Sequence, residues 1–148
     1  DKFLSSESYW KGGQTRNLVF LDTNSLRSQR LFDTNAYVIL QTDQHSQKIE
    51  SKTVTQWLVH QVLKADTDGN KRLDRNDQLT LGISSASGQK YVEVLTDLNK
   101  IFGLTMISPG KLVVVYGKKG TKAASIIDLN KRSVTATQSL VDLGPEIK

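Results

Sequence analysis

Residues 111–129 read KLVVVYGKKGTKAASIIDL, and this stretch decides the fold class. Residues 112–116 are apolar or aromatic and mostly β-branched, which is typical of a strand buried on both faces. Gly117 and Gly120 enclose a pair of lysines and predict a tight turn, and residues 123–129 form the next apolar run. The stretch therefore predicts two antiparallel strands joined by a hairpin turn.

Further strands are predicted on both sides of this hairpin. Residues 101–108 are an apolar run that ends in Ser108-Pro109-Gly110, a turn sequence, and residues 134–140 follow the polar turn at 130–132. The side chains of residues 134–140 alternate in type, which suits an edge strand with one face in water. Residues 101–140 thus predict a four-stranded antiparallel unit.

The same arrangement repeats upstream. A second set of four strands is predicted at residues 35–42, 54–64, 78–85 and 91–98, and residues 17–22 and 26–32 match the last two strands of an earlier set with a missing or irregular beginning. In all three sets an apolar strand ends in Asp or Ser and enters a tight polar turn, at Asp22, Ser84 and Asp128. The whole chain, residues 1–148, is expected to be one all-β domain.

Antiparallel four-stranded units in series resemble the blades of TolB-like and WD-repeat β-propellers, although no Trp-Asp dipeptide is present. The resemblance implies about two and a half blades, which cannot close a propeller. Three alternatives follow: the chain pairs with copies of itself, it is part of a longer protein, or its strands form a β-sandwich or an open barrel instead of blades. An unclosed set also leaves sheet edges that must be covered.

Residues 54–64 are ambiguous between strand and helix. Trp57, Leu58, Val62 and Leu63 would share one face of a helix, which would place the loop that follows in a helix–loop–helix. The β-rich sequence of residues 54–59 favours a strand.

Residues 66–77 read DTDGNKRLDRND and concentrate oxygen ligands in one loop. The candidate ligands are Asp66, Asp68, Asn70, the backbone carbonyl of Arg72, Asp74 and Asp77. Their order resembles the EF-hand calcium loop, including its dockerin-like and bacterial extracytoplasmic variants, which supplies ligands from positions 1, 3, 5, 7, 9 and 12. The resemblance implies that Ca²⁺ is the cofactor and that Leu73, at position 8, anchors the loop to the core.

Two positions depart from the family pattern. Lys71 stands at position 6, where the family has Gly for a sharp turn, so a positive φ there is expected to cost about 1 kcal/mol. Asp77 replaces the usual Glu at position 12 and has a shorter reach. Together with the positive charges of Lys71, Arg72 and Arg75, these changes predict micromolar to millimolar affinity. The alternative is a polar turn in which Asp and Asn serve only the backbone geometry.

Composition narrows the other functional classes. The chain has no Cys, which excludes disulfides, thiolate metal sites and cysteine nucleophiles. The whole net charge of +5 comes from residues 100–148. A basic segment of this kind can bind nucleic acid or an anionic surface, which is the alternative function. The simpler interpretation is that these basic residues only occupy solvated turns. No apolar run is long enough for a membrane span. No signal peptide is evident, and the absence of an initiator Met suggests a mature or trimmed chain.

Other motifs argue against an enzyme. His45 and His60 lack the spacing of a transition-metal site, and no Gly-x-Ser-x-Gly elbow is present. Residues 117–122 do not have the spacing of a phosphate loop. Trp10, in an N-terminal stretch expected to be irregular, is the candidate contact with another chain or with a missing segment.

The sequence thus predicts a non-catalytic β module with calcium as a structural staple between residues 54–64 and 78–85. Its partner is another protein or a second copy. The propeller resemblance and the weak calcium affinity place it in the periplasm or cell envelope, with the cytoplasm as the alternative.

Overall fold

The computed structural model describes residues 3–11 and 13–141, with side chains from residue 13 onward except 47, 49 and 53–55. This part of the chain contains eleven strands and no helix. The strands are β1 (Phe3–Lys11), β2 (Gln14–Asp22), β3 (Ser28–Arg30), β4 (Val38–Ile49), β5 (Lys52–Leu63), β6 (Leu79–Ser85), β7 (Val92–Leu98), β8 (Lys100–Ser108), β9 (Lys111–Lys118), β10 (Thr121–Asp128) and β11 (Ser133–Ser139). The predictions of an all-β chain and of a strand at residues 54–64 are confirmed.

The strands form three separate antiparallel sheets, each a simple meander. The first sheet is β1-β2-β3, the middle sheet is β4-β5-β6-β7 and the third sheet is β8-β9-β10-β11. The last two sheets correspond to the two predicted sets of four. Because no strand of one described sheet hydrogen-bonds to a strand of another, these sheets do not form a closed barrel.

The first sheet corrects the prediction for the N-terminus. Residues 17–22 and 26–32 lie at β2 and β3, as expected, but the stretch before them is a strand and not irregular. Trp10 belongs to β1 and pairs with Thr15 of β2. Its side chain lies outside the described residues.

The middle sheet is covered on both faces, and alternation along β5 shows how. Trp57, Val59 and Leu63 enter a core shared with the third sheet. Leu58 and Val62 point the other way, into a core shared with the first sheet. Successive side chains of a strand point to opposite faces, so a strand between two cores needs apolar residues in both alternating sets, as residues 57–63 have.

The turn before the last strand of each sheet contains a residue with positive φ in all three sheets. Asp22 accepts hydrogen bonds at Oδ1 from the backbone N–H of Asn24, and Asp128 accepts from those of Asn130 and Lys131. In the middle sheet Ser85, rather than Ser84, takes this position: its carbonyl accepts from the N–H of Gly88. A residue with positive φ follows in each turn, namely Leu26, Gly88 and Arg132. The first and third turns therefore share an Asp side-chain cap with a positive φ four residues later, whereas the middle turn is closed by a backbone hydrogen bond.

Candidate metal centre

The predicted metal loop connects two neighbouring strands of the middle sheet. Leu63, at the end of β5, pairs directly with Leu79, at the start of β6, so residues 64–78 form a long hairpin loop closed at its base. A ligand that orders this loop therefore also stabilises the pairing of β5 with β6. These two strands supply many of the core residues.

Three of the predicted ligands converge within this loop. One carboxylate oxygen from each of Asp66, Asp68 and Asp77 lies within 4.8 Å of the others. Calcium takes oxygen ligands at about 2.3–2.6 Å, so two ligands on opposite sides of one ion lie at most about 5 Å apart. The three oxygens are therefore close enough to one another to hold a single metal ion of this size.

Asp77 organises the loop from a buried position. Its side chain is only 1% exposed. Its Oδ1 accepts hydrogen bonds from the backbone N–H groups of Thr67, at 2.8 Å, and Asp68, at 3.3 Å, and its Oδ2 accepts from that of Asp74, at 2.9 Å. These bonds, led by the one from Asp74, hold the pKa of Asp77 below its ordinary value despite burial. Oδ2 has one backbone partner, which leaves it acceptor capacity for a cation.

Asp66 shapes the first turn of the loop. It accepts from the N–H of Gly69 at 2.9 Å through Oδ1 and from that of Lys71 at 2.7 Å through Oδ2. Lys71 has a φ of 66°, the left-handed conformation expected at the position that usually holds Gly. The loop therefore keeps the turn of the family pattern, and a non-glycine residue bears its strain.

The remaining candidate ligands lie apart from the three carboxylates. Asn70 uses Oδ1 to accept from the N–H of Arg72, at 2.9 Å, and donates Nδ2–H to Asp74, at 3.0 Å. Asp74 is absent from the carboxylate cluster, in keeping with a position that often binds calcium through water. The structure thus brings three of the predicted side-chain ligands together and links the other two to each other.

The carboxylates are close enough to oppose one another's ionisation. The N–H of Asn70 donates to Asp68 and favours its charged form, but partial desolvation, a hydrogen bond with Asp66 and repulsion from Asp77 and Asp66 outweigh it and raise the pKa of Asp68. Among the described residues the one ion pair within 4.0 Å joins Lys64 to Glu93, so the loop cations do not contact these carboxylates as ion pairs. A bound cation would relieve the repulsion directly.

The loop is fastened to the rest of the molecule at Leu73. Its side chain packs against the core between the middle and third sheets, as expected for position 8. Its carbonyl accepts a hydrogen bond of 2.6 Å from Nε2 of Gln14, at the start of β2. The loop therefore also contacts the first sheet, through a residue that no sequence motif indicated.

Among the described residues, the pair that most resembles a catalytic serine and histidine is Ser84 and His60. Nε2 of His60 lies 2.9 Å from Oγ of Ser84, and Nδ1 lies 2.9 Å from Oγ1 of Thr42. His60 and Ser84 are both 0% exposed, and desolvation lowers the pKa of His60 to about 4. Since Ser84 donates its hydroxyl to the carbonyl of Ser85, it accepts from His60, and Thr42 donates to Nδ1. This is a sealed hydrogen-bond chain across β4, β5 and β6 with a neutral imidazole.

The basic residues of the third sheet are divided between its two ends. Lys118 and Lys119 belong to the turn between β9 and β10, while Lys111 and Lys131 lie at the opposite ends of these strands. An eight-residue strand such as β9 separates the two groups by about 25 Å. The positive charge therefore forms two groups rather than one continuous stripe.

The described residues contain no helix of the length and apolarity that a membrane span requires. Comparison with protein-family models, with curated proteins and with solved structures found no match for this chain. The resemblance to EF-hand loops and to propeller blades therefore rests on the residues and geometry of the chain itself.

Proposed function

We propose that this chain is a non-catalytic, calcium-binding β module in which the ion serves as a structural staple. The observation that supports this most strongly is the convergence of Asp66, Asp68 and Asp77 within 4.8 Å. These residues hold positions 1, 3 and 12 of the EF-hand spacing, and Lys71 has the left-handed backbone that position 6 of such a loop needs.

In the proposed site Asp66, Asp68 and Asp77 bind the ion directly. Asn70, the backbone carbonyl of Arg72 and Asp74 complete the shell, Asp74 through a water molecule. Calcium suits this set because it accepts six to eight oxygens in a flexible arrangement, whereas magnesium demands a stricter octahedron and retains its water. The shorter Asp77 and the strained Lys71 support an affinity in the micromolar to millimolar range.

The staple acts through mass action. An ion that binds the folded loop and not the unfolded chain adds about 1.4 kcal/mol to the free energy of unfolding when its concentration is ten times Kd. Because the loop joins β5 to β6 and contacts Gln14 of β2, that energy stabilises the pairing of two core strands and their attachment to the first sheet.

The module is further proposed to be propeller-like and to act in protein–protein contacts. Three meander sheets packed in sequence, each with a positive-φ residue in the turn before its last strand, support the propeller-like arrangement. Free sheet edges and a need for calcium above cytosolic levels support an interaction role in the periplasm or cell envelope. The cytoplasm remains the alternative compartment.

Calorimetric titration with CaCl₂ tests the binding step. The wild type is expected to give a saturable heat with one ion per chain. Asp68→Asn should lose this heat, because Asp68 contributes to the carboxylate cluster. Asp97→Asn is the matched control: Asp97 is exposed, lies outside the loop and has a φ of 59°, which Asn tolerates. Equal heats in Asp68→Asn and the wild type, or no heat from the wild type at millimolar calcium, would contradict the proposal.

Binding of nucleic acid or an anionic surface through residues 100–148 is the second candidate. It is less well supported, since the lysines lie in two groups at opposite ends of the third sheet. Filter binding against salt distinguishes it, because contacts with phosphates weaken steeply as ionic strength rises.

A further inference from the structure

An open cleft of about 470 Å³ lies between the middle and third sheets, beside their edge strands β4 and β8. Strand register shows which side chains form its middle-sheet wall. Gln41 of β4 lies opposite Gln61 of β5, and Asp43 lies opposite Val59. Val59 points into the core shared with the third sheet, so residues 41, 43 and 61 point to the same side. The middle sheet therefore presents a polar stripe beside an apolar core.

Gln61 is the residue of this stripe that most needs a partner. It is only 9% exposed, and no hydrogen bond joins its side-chain amide to another described residue. The side chain lines the cleft, so its amide can reach a bound molecule. A buried amide without partners costs free energy, because its N–H groups and its oxygen have lost water. The fold alone gives no return for this cost.

Two further polar groups line the same cleft. Gln41 donates from Nε2 to both carboxylate oxygens of Asp43, at 2.9 and 3.0 Å, which orients the carboxylate and leaves it acceptor capacity. Nε2 of His45 is buried and has no hydrogen-bond partner in the described part of the chain. Desolvation lowers the pKa of His45, so its imidazole is neutral at pH 7. Hydrogen-bonding groups without protein partners thus meet at one place.

The charges around the cleft cancel. Among the described residues that line it, only Asp43 and Arg75 are charged, and they do not form an ion pair within 4.0 Å. A ligand without net charge therefore suits the cleft. An amide needs a donor and an acceptor together, and a hydroxyl group supplies both, whereas an ammonium group only donates and a carboxylate only accepts. Ile101 and Leu104 of β8 add an apolar surface to the same cleft.

We infer that this cleft binds a neutral saccharide. Gln61 and Asp43 hydrogen-bond to its hydroxyl groups, while Ile101 and Leu104 contact the C–H groups of its ring. The volume of the cleft lies within the range of about 300–1,000 Å³ that is usual for small-molecule sites. The inference goes beyond the proposed function and does not require calcium, because none of the three clustered carboxylates lines the cleft.

Saturation-transfer difference NMR on the full chain tests the inference, with D-glucose, D-galactose, D-mannose and N-acetyl-D-glucosamine as probes at millimolar concentration. At least one of these sugars should bind saturably to the wild type. Gln61→Leu and Asp43→Asn should each weaken its binding about tenfold, because each removes a hydrogen-bonding group. Gln138→Leu is the matched control, since Gln138 is exposed on β11, at the edge of the third sheet away from β8.

Urea denaturation separates a role in binding from a structural role. Gln61→Leu replaces an unpartnered buried amide by an apolar group, so its midpoint should equal or exceed that of the wild type. Weaker sugar binding at undiminished stability supports the inference. A Gln61→Leu variant that loses stability would make Gln61 structural and overturn its assignment to the ligand.

Three binding results would also overturn the inference. They are a wild type that binds none of the four sugars, a sugar that binds Asp43→Asn as tightly as the wild type, and binding of the zwitterion glycine in place of the sugars. Asp43 is half-buried, so Asp43→Asn provides a reading even if Gln61→Leu does not fold. None of these results affects the calorimetric test with CaCl₂, so the two proposals fail independently.

Discussion

The ring of Tyr91 lies directly over Gly82, in the space that a β-carbon on residue 82 would occupy. Gly82 is in β6 opposite His60 of β5, and the rings of His60 and Tyr91 have centroids 6.0 Å apart. Tyr91 also meets Phe32 edge to face, with centroids 5.0 Å apart. A missing side chain in a central strand thus makes room for an aromatic contact between the first and middle sheets.

Gly82→Ala is therefore expected to lower the free energy of unfolding by about 1–3 kcal/mol, because Tyr91 must move for the new methyl group to fit. Gly103→Ala is the control, since no heavy atom lies within 4 Å of a β-carbon built at that strand position. Urea denaturation of both variants measures the difference. Equal effects from the two substitutions would show that the contact with Tyr91 does not constrain residue 82.

Lys71 provides a test of loop strain that does not require calcium. Lys71→Gly should raise the free energy of unfolding by about 1 kcal/mol, because Gly adopts a positive φ without steric cost. Lys71→Ala removes the same charge but retains a β-carbon, so it should show no such gain. Denaturant unfolding in chelator compares the two. A gain shared equally by both variants would assign the effect to charge rather than to backbone conformation.

His60 should make stability depend on pH in a defined window. Its folded pKa is about 4, below the ordinary value of 6.5, so between these values the unfolded chain binds a proton that the folded chain does not. Stability is therefore retained above pH 6.5 and declines as pH falls towards 4, by about 3 kcal/mol in total.

The slope of unfolding free energy between pH 7 and pH 5 measures this effect in the wild type and in His60→Gln. The wild type should lose more stability than His60→Gln over this range. The comparison also removes the contribution of His45, whose pKa is lowered by burial in both proteins. Parallel slopes would mean that His60 is not held neutral in the fold.

A second hydroxyl chain crosses the third sheet, from the buried Tyr116 and Ser125 to the exposed Thr137, and its members should be energetically coupled. Oγ of Ser125 lies 2.8 Å from the hydroxyl of Tyr116 and 2.8 Å from Oγ1 of Thr137. Ser125→Ala leaves the buried Tyr116 hydroxyl without this partner and should cost about 1–3 kcal/mol. With Tyr116→Phe already present, the same substitution should cost clearly less. A double-mutant cycle measures the difference, and strictly additive effects would contradict the coupling.

Local features of this chain were accessible from the sequence. The order of Asp66, Asp68 and Asp77 and the turn at Lys71 depend on residues a few positions apart, so spacing alone indicated a loop in which carboxylates meet. Periodicity and turn residues likewise predicted the strands of the middle and third sheets. The sequence could not show β1 as regular, because its apolar and polar residues follow no clear period.

Contacts between distant residues were not accessible in the same way. The hydrogen bond from Gln14 to Leu73 joins positions 59 residues apart, and the chain from Thr42 through His60 to Ser84 depends on the register of three strands. A one-residue change of register would point these side chains to opposite faces. Such contacts follow from tertiary structure rather than from any local pattern.

Thermal unfolding in calcium and in chelator tests the staple most directly. The wild type is expected to melt about 3–6 °C higher in calcium at ten times Kd than in chelator, since each kcal/mol shifts the Tm of a domain of this size by about 2–4 °C. Asp68→Asn should melt at the same temperature in both conditions, and magnesium should give a smaller rise than calcium. A wild-type Tm that does not change between millimolar calcium and chelator would contradict the account.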